Sequence, residues 1–375
     1  MRTSFLPLVV ATISLVTSSL TAQEAKVPAR RAASGPVPPP EIRADGGVTF
    51  RYRSTKAAEV KVAGQIGPET ALTKGEDGLW SGTVPNVKPG VYEYRLVVDG
   101  VNLIDPANPA VKPQRWPGVS ILHLPANPPA PWDLQDIPHG TLHEHTYKSK
   151  ALDRWRHVVI YTPPNASALG RLPVLYLAHG YSDNEGTWTV HGKAHWILDS
   201  LIAARKAVPM IVVMPDAHAL PPESGGAFDQ YGPENSAAFC RELIQDLIPL
   251  VETNYRVAAR ARSRAFAGLS MGGHHALTVA LNHHDLFGWI GAFSSAPPPT
   301  ELIAAGLMTP AAVNRDLRLF WIACGGKDFL IKNNETFVAM LKEKQIRHEY
   351  VLTEGDHSWP VWRNYLTEFA PKLFR

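Results

Sequence analysis

The sequence predicts an α/β chain in two parts: a small antiparallel β-sandwich, then a parallel sheet packed between helices. Two patterns carry this prediction. Between residues 41 and 125, apolar and polar residues alternate with turn residues every ten or so positions, as in half-buried strands. Beyond residue 137, solid apolar runs of strand length recur, and helix-like segments lie among them. A length of 375 residues suits two domains once an N-terminal peptide is removed.

In chain order, residues 1–22 read as a secretory signal. Arg2 gives the positive start, Phe5 to Val16 is largely apolar, and Thr21-Ala22 precedes Gln23 at a plausible cleavage point. The apolar stretch is short for a membrane span, and no later run reaches that length. The expected location is therefore secreted or periplasmic, with no membrane attachment after signal removal. Residues 23–40, rich in Ala, Pro and Arg, read as a disordered linker. Residues 41–125 form the predicted sandwich. Its segments include 47–53 (GVTFRYR), 59–62 (EVKV) and 89–100 (PGVYEYRLVVDG). Trp80 and Tyr94 are expected to fill its core rather than to stack on sugars. The prolines of residues 125–138 mark the connector to the second domain, 126–375.

Within that domain, residues 172–178 (LPVLYLA) read as a strand, followed by the turn His179-Gly180-Tyr181. Residues 265–267 read as a strand, residues 274–282 as a helix, and between them lies Gly268-Leu269-Ser270-Met271-Gly272-Gly273. Strand, G-x-S-x-G and helix in that order make the nucleophile elbow of an α/β-hydrolase fold, which lifts a serine hydroxyl clear of the sheet. A serine needs a base, and this fold orders its triad Ser, Asp or Glu, His. Residues 317–324 (LRLFWIAC) read as a buried strand ending in Gly325-Gly326-Lys327-Asp328. Residues 348–352 read as the next strand, and His357 lies in the loop beyond it. Ser270, Asp328 and His357 are thus expected at one rim of the sheet, where open α/β sheets gather ligands. The oxyanion donors expected in this fold are the backbone N–H groups of Met271 and of Tyr181.

His274, His275, His283 and His284 are expected to serve packing or helix ends. Glu354, Asp356, Asp316 and Glu335 are expected to lie outside the triad. His143 and His145 read as strand-surface residues, not metal ligands, so neither a metal nor an organic cofactor is expected. Cys240 and Cys324, the two cysteines of the chain, are read as buried thiols or as a pair. A net charge of +3 with no basic run beyond Arg30-Arg31 points away from nucleic acid. No obligate protein partner is evident.

From residue 137 onward the chain resembles the esterase-D-type esterases, which include feruloyl and acetylxylan esterases of carbohydrate esterase family one. The resemblance rests on several short pieces together. They are Pro138-His139-Gly140, Tyr161-Thr162-Pro163-Pro164, Leu175-Tyr176-Leu177-Ala178-His179-Gly180, residues 210–215 (MIVVMP), the Ser270 elbow, Gly326-Lys327-Asp328, and His357-Ser358-Trp359-Pro360-Val361-Trp362. It implies the same triad. Asp356 departs from the glycine common before the family's histidine. Residues 40–125 resemble early-set, immunoglobulin-like modules of the glycogen-binding kind, akin to family-48 carbohydrate-binding modules. In such pairings the module shapes the active-site cleft.

The implied function is a secreted serine esterase acting on acylated polysaccharide or oligosaccharide. Aromatic residues at the predicted rim favour a flat phenolic acyl group. Trp188, Phe228, Tyr231 and Trp359 are the expected substrate contacts, with Tyr181 beside them and Trp196 expected in the core. Feruloyl esterase is the first expectation and acetylxylan or another short-acyl carbohydrate esterase the second. A carbohydrate-binding protein with an inert hydrolase domain is the reading from another class.

Overall fold

The computed structural model describes residues 35–221 and 228–375. The predicted signal, residues 1–22, and most of the predicted linker lie outside the described residues. So does the loop at 222–227, while residues 35–40 have no regular structure.

The N-terminal part is the expected sandwich. One sheet pairs Glu41–Ile42, Val48–Arg53, Leu79–Val84 and Thr73–Lys74. The other pairs Thr70–Ala71, Val60–Gly64, Gly90–Val98 and Val101–Leu103, with Ser120–Leu124 also paired to Gly90–Val98. Every pairing is antiparallel. The inward residues Val48, Phe50, Val60, Val62, Trp80 and Leu96 close the core, as period-two alternation demands. Trp80 and Tyr94 are buried there as expected, and the Tyr94 hydroxyl donates to Asp105 at 2.7 Å.

The connector at 125–138 is tied down rather than loose. The Asp133 carboxylate accepts the backbone N–H groups of Ala126 and Ala130 and lies 2.7 Å from His123 Nε2.

The second part holds one eight-stranded sheet. Its strands are β1 (Thr141–Ser149), β2 (Arg154–Thr162), β3 (Val174–Ala178), β4 (Ile211–Pro215), β5 (Arg264–Leu269), β6 (Trp289–Phe293), β7 (Leu319–Gly325) and β8 (Glu349–Thr353). In space they run β1-β2-β4-β3-β5-β6-β7-β8. β1 and β2 are antiparallel, and β3 to β8 are parallel. Every residue of β3, β4, β6 and β7 is buried, because helices cover both faces. Two apolar clusters sit on the two faces. Tyr176, Phe239, Phe266 and Leu277 belong to one, and Leu177, Phe293, Trp321 and Phe369 to the other. Cys240 and Cys324 are buried free thiols. Among the described residues, no helix is long and apolar enough to cross a membrane.

Candidate active site

The turn after β5 is as tight as its glycines allow. A Cβ on Gly268 would lie 2.4 Å from the carbonyl carbon of Gly272, and one on Gly272 would lie 2.5 Å from the Ala178 oxygen. Between them Ser270 holds φ 52° and ψ −109°, a conformation that L-residues adopt only under constraint. Its N–H donates to the Phe293 carbonyl at 2.9 Å, which ties the elbow to β6. The helix Met271–Asn282 begins at the next residue, so the Met271 amide is one of the first-turn donors that a helix leaves without an internal acceptor.

Asp328 follows β7 and His357 follows β8, as the order of strands predicts. The His357 Nδ1–H donates to both Asp328 oxygens, at 3.0 and 2.9 Å. Asp328 is 2% exposed and also accepts the Leu330 N–H at 2.8 Å. Burial pushes the Asp328 carboxyl upward, but the hydrogen bonds from His357 and Leu330 outweigh it and hold it below the usual carboxylate range. With Nδ1 bound to the acid, Nε2 is the basic nitrogen of His357. The ring sits between Phe329, at 4.4 Å centroid distance, and the edge-on Trp362, at 4.9 Å.

Ser270 and His357 line the same cleft, of about 350 Å³. Gly180, Tyr181 and Leu269 form one side of it, and Phe329, Trp359 and Trp362 another. The turn after β3 abuts the serine, since a Cβ on Gly180 would stand 3.5 Å from Ser270 Cβ. The His179 ring braces that turn: Nδ1–H donates to the Gly180 carbonyl at 2.8 Å, and Nε2 accepts the Ala217 N–H at 2.9 Å.

The sandwich supplies the remaining wall with Gln65, Glu93, Lys112 and Gln114. No periodic signal marks the last two, which lie in a loop between strands. The loop is stitched to the turn after β3. Gln114 pairs with Asp183 in an isolated antiparallel bridge, the Arg115 N–H donates to the Ser182 carbonyl at 2.9 Å, and the Thr187 hydroxyl donates to the Pro113 carbonyl at 2.6 Å. Lys112, 4% exposed at its side chain, reaches Glu93 at 2.8 Å and Asp183 at 3.1 Å. Glu93 Oε1 also lies 3.3 Å from Nε2 of the fully buried His191. Burial acts upward on the Glu93 carboxyl, yet the His191 hydrogen bond and the Lys112 charge bring it down to about 2. Burial lowers His191 itself to about 3, so this imidazole is neutral near pH 7.

The expected substrate contacts divide. Trp359 lines the cleft, with Lys112 Nζ 5.7 Å from its ring centre. Trp188 is not among the lining residues: it is 1% exposed, as Trp359 is, but it packs edge-on against Trp359 and spends its indole N–H on the Ala178 carbonyl. Tyr231 is likewise buried, its hydroxyl engaged with His218 and Asn235. Phe228 packs on Tyr181 and His274 behind the cleft wall. These three expectations are corrected, because an aromatic ring in a loop packs beneath a cleft as readily as it lines one. Trp196, expected in the core, is half-buried beside His123. Phe329, whose sole signal is adjacency to Asp328, lines the cleft in their place, as does Trp362 from the motif at His357.

The remaining polar candidates lie where packing puts them. His274 and His275 are buried, His284 pairs with Asp316 at 2.7 Å, and Glu335, Glu354 and Asp356 are exposed. His143 bonds Thr162 and His145 bonds Tyr255.

Relatives share this architecture. The chain is 32% identical over 347 residues to an endo-1,4-beta-xylanase/feruloyl esterase of Xylanibacter ruminicola, a match covering 90% of this chain and 46% of that one. It is 30% identical over 287 residues to an iron(III) enterobactin esterase of Escherichia coli, covering 71% of this chain and 66% of the relative. The chain thus spans less than half the length of the first relative and about two thirds of the second. Among solved structures, a ferulic acid esterase of Anaeromyces mucronatus in complex with ferulic acid superposes with TM-score 0.57 at 22% identity, over 64% of this chain and 93% of that one. The enterobactin esterase of Shigella flexneri superposes with TM-score 0.64 at 21% identity, over 90% of this chain and 96% of that one. These two likenesses carry the α/β-hydrolase fold, and the second extends over the sandwich. A family model described as Putative esterase matches residues 149–373, more than half of the chain, and the chain belongs to that family.

Proposed function

We propose that this protein is a serine carboxylic-ester hydrolase that releases hydroxycinnamate from acylated plant polysaccharide. The observation that carries the reading is the meeting of three strand ends. The strained Ser270 elbow and His357, the latter bound to buried Asp328, line one cleft. In this mechanism the Ser270 hydroxyl attacks the ester carbonyl and His357 Nε2 takes its proton. Asp328 fixes the tautomer and stabilises the imidazolium. The Met271 and Tyr181 amides hold the tetrahedral oxyanion. The alcohol leaves with the proton from His357, and water then hydrolyses the acyl-enzyme by the reverse route. The route draws on protein groups and water alone. Phe329, which is 73% exposed, and the half-buried Tyr181 give the cleft rings against which a phenolic acyl group can pack, and the largely buried Trp359 and Trp362 complete the lining. The xylanase/feruloyl esterase relative supports the same choice. The signal-like residues 1–22 support export, with action on substrate outside the cytoplasm.

The test is hydrolysis of methyl ferulate beside 4-nitrophenyl acetate. Ferulate release at a rate comparable to acetate release is expected. Acetate release alone would move the assignment to a short-acyl carbohydrate esterase. Ser270→Ala is expected to lower turnover by at least about 10⁴-fold with the circular dichroism spectrum unchanged, and Asp328→Asn by about 10⁴-fold. Unchanged turnover in Ser270→Ala would sink the mechanism. A fluorophosphonate probe separates enzyme from inert binder: labelling of folded protein, lost in Ser270→Ala, is expected. A second reading, hydrolysis of enterobactin-type esters, is favoured by the likeness to the enterobactin esterase across the sandwich as well as the hydrolase part. Ferric enterobactin turned over faster than methyl ferulate would establish it.

A further inference from the structure

A second cleft, of about 460 Å³, opens beside the first. Gln114 lines both, so the stitched loop and the turn after β3 form the partition between them. The second cleft carries two tryptophans that folding has left in solvent. Trp116, from the sandwich loop, is 62% exposed, and Trp155, on β2, is 67% exposed. Exposed tryptophan is uncommon, and two rings from different parts of the fold on one concave surface are a feature that core packing does not explain.

The surroundings hold these rings in place. The Arg115 guanidinium lies 4.7 Å from the Trp116 ring centre, and 5.5 Å from those of Tyr181 and Tyr231. Backbone pairing of Arg115 to Ser182 fixes the loop that carries Trp116. The backbone of Trp155 is fixed by the β1–β2 ladder, opposite Lys148. The rest of the lining is largely polar: Gln114, Asn184 and Asp216 offer donors and acceptors, and Arg154 and Arg156 also line the cleft. Arg156 is spent on Glu242, Asp216 and the His218 carbonyl. Arg154 donates through Nη2 to the His218 and Leu220 carbonyls, while its buried Nε finds no acceptor among the described residues. Flat apolar faces flanked by fixed hydrogen-bonding groups match a sugar ring, which presents C–H faces above and below and hydroxyls around its edge.

We propose that this second cleft is a glycan subsite, holding a xylo-oligosaccharide stretch of the substrate chain between Trp116 and Trp155 while the ester lies at Ser270. The proposal rests on the esterase reading for its choice of sugar. Gln114 lines both clefts, so a chain bound in the second lies next to the cleft that holds Ser270.

The test separates binding from turnover. Xylohexaose is titrated calorimetrically into Ser270→Ala protein and into the same protein carrying Trp116→Ala and Trp155→Ala. Binding by the first, weakened about tenfold or more in the second, is expected from the loss of two stacking faces. No binding by the first, or equal binding by both, overturns the proposal. In the active protein the double substitution should cut kcat/KM on a feruloylated xylo-oligosaccharide about tenfold and leave methyl ferulate turnover unchanged. Equal loss on both substrates would also overturn it. Trp116→Phe/Trp155→Phe, which keeps a flat ring at each position, should restore most of the loss. Absence of methyl ferulate turnover in wild-type protein counts against the esterase reading alone, since the calorimetry is read on protein that does no chemistry.

Discussion

At the scale of single residues, Lys112 is a cation taken out of solvent at the rim of the cleft. Its ammonium is buried between two carboxylates, Glu93 and the 2%-exposed side chain of Asp183. Removing one member of a buried charge cluster leaves the rest without compensation, at a cost of about 3–5 kcal/mol. Lys112→Met is therefore expected to lower the melting temperature sharply. Lys112→Met/Asp183→Asn should cost less than the sum of the two single changes, which a thermal-melt double-mutant cycle reads directly. Ser270, Asp328 and His357 were legible in the sequence because each stands just past an apolar run, in the order the fold requires. Lys112 was not, because nothing local marks a lysine whose partners arrive from the other part of the chain. The aromatic contacts were half-legible for a related reason. Trp188 and Trp359 carry the same local signal, and tertiary packing alone decides that one lines the cleft and the other supports it.

Among the elements, the elbow leaves no room for a side chain at Gly268. Gly268→Ala places a methyl group 2.4 Å from backbone carbon, where no rotamer change relieves it. Such overpacking costs about 1–3 kcal/mol or more, so a clear fall in melting temperature is expected. Gly170→Ala, with nothing within 4 Å of the added methyl, is the matched control and should melt close to wild type. β3, β5, β7 and β8 were readable to within a few residues as apolar runs, whereas β6 (Trp289–Phe293) was not assigned from the sequence. The loop 104–119 was not assigned an element by its pattern, yet it carries Lys112, Gln114 and Trp116. Its order comes from pairing with residues 182–187 rather than from periodicity of its own. The proline-rich stretch at 125–138 taught the converse. Its composition marked only a connector, and one buried aspartate, Asp133, gathers its backbone donors.

For the whole molecule, the contact between the sandwich and the hydrolase part contributes its own share of acid sensitivity through Glu93. Glu93 titrates at about 2 in the folded protein, below the ordinary glutamate value near 4.3. A lowered carboxylate stabilises fully above the unfolded value, and that contribution is lost as pH falls toward the folded one. Melting temperature should therefore drop between about pH 4.5 and pH 2. Glu93→Gln should melt lower at neutral pH and show a flatter fall over that window. An equally steep fall in the variant would assign the acid sensitivity to other carboxylates.

The stitch between residues 113–115 and 182–187 bears on how such a chain is passed on. Recombination at the proline-rich boundary could bring in a foreign sandwich that folds well by itself. It would arrive without the matching edge for the turn beside the serine, and would strip that turn of its lysine. The two halves fit as a matched pair, and their compatibility rests on the short segments 113–115 and 182–187, one on each side of the proline-rich boundary.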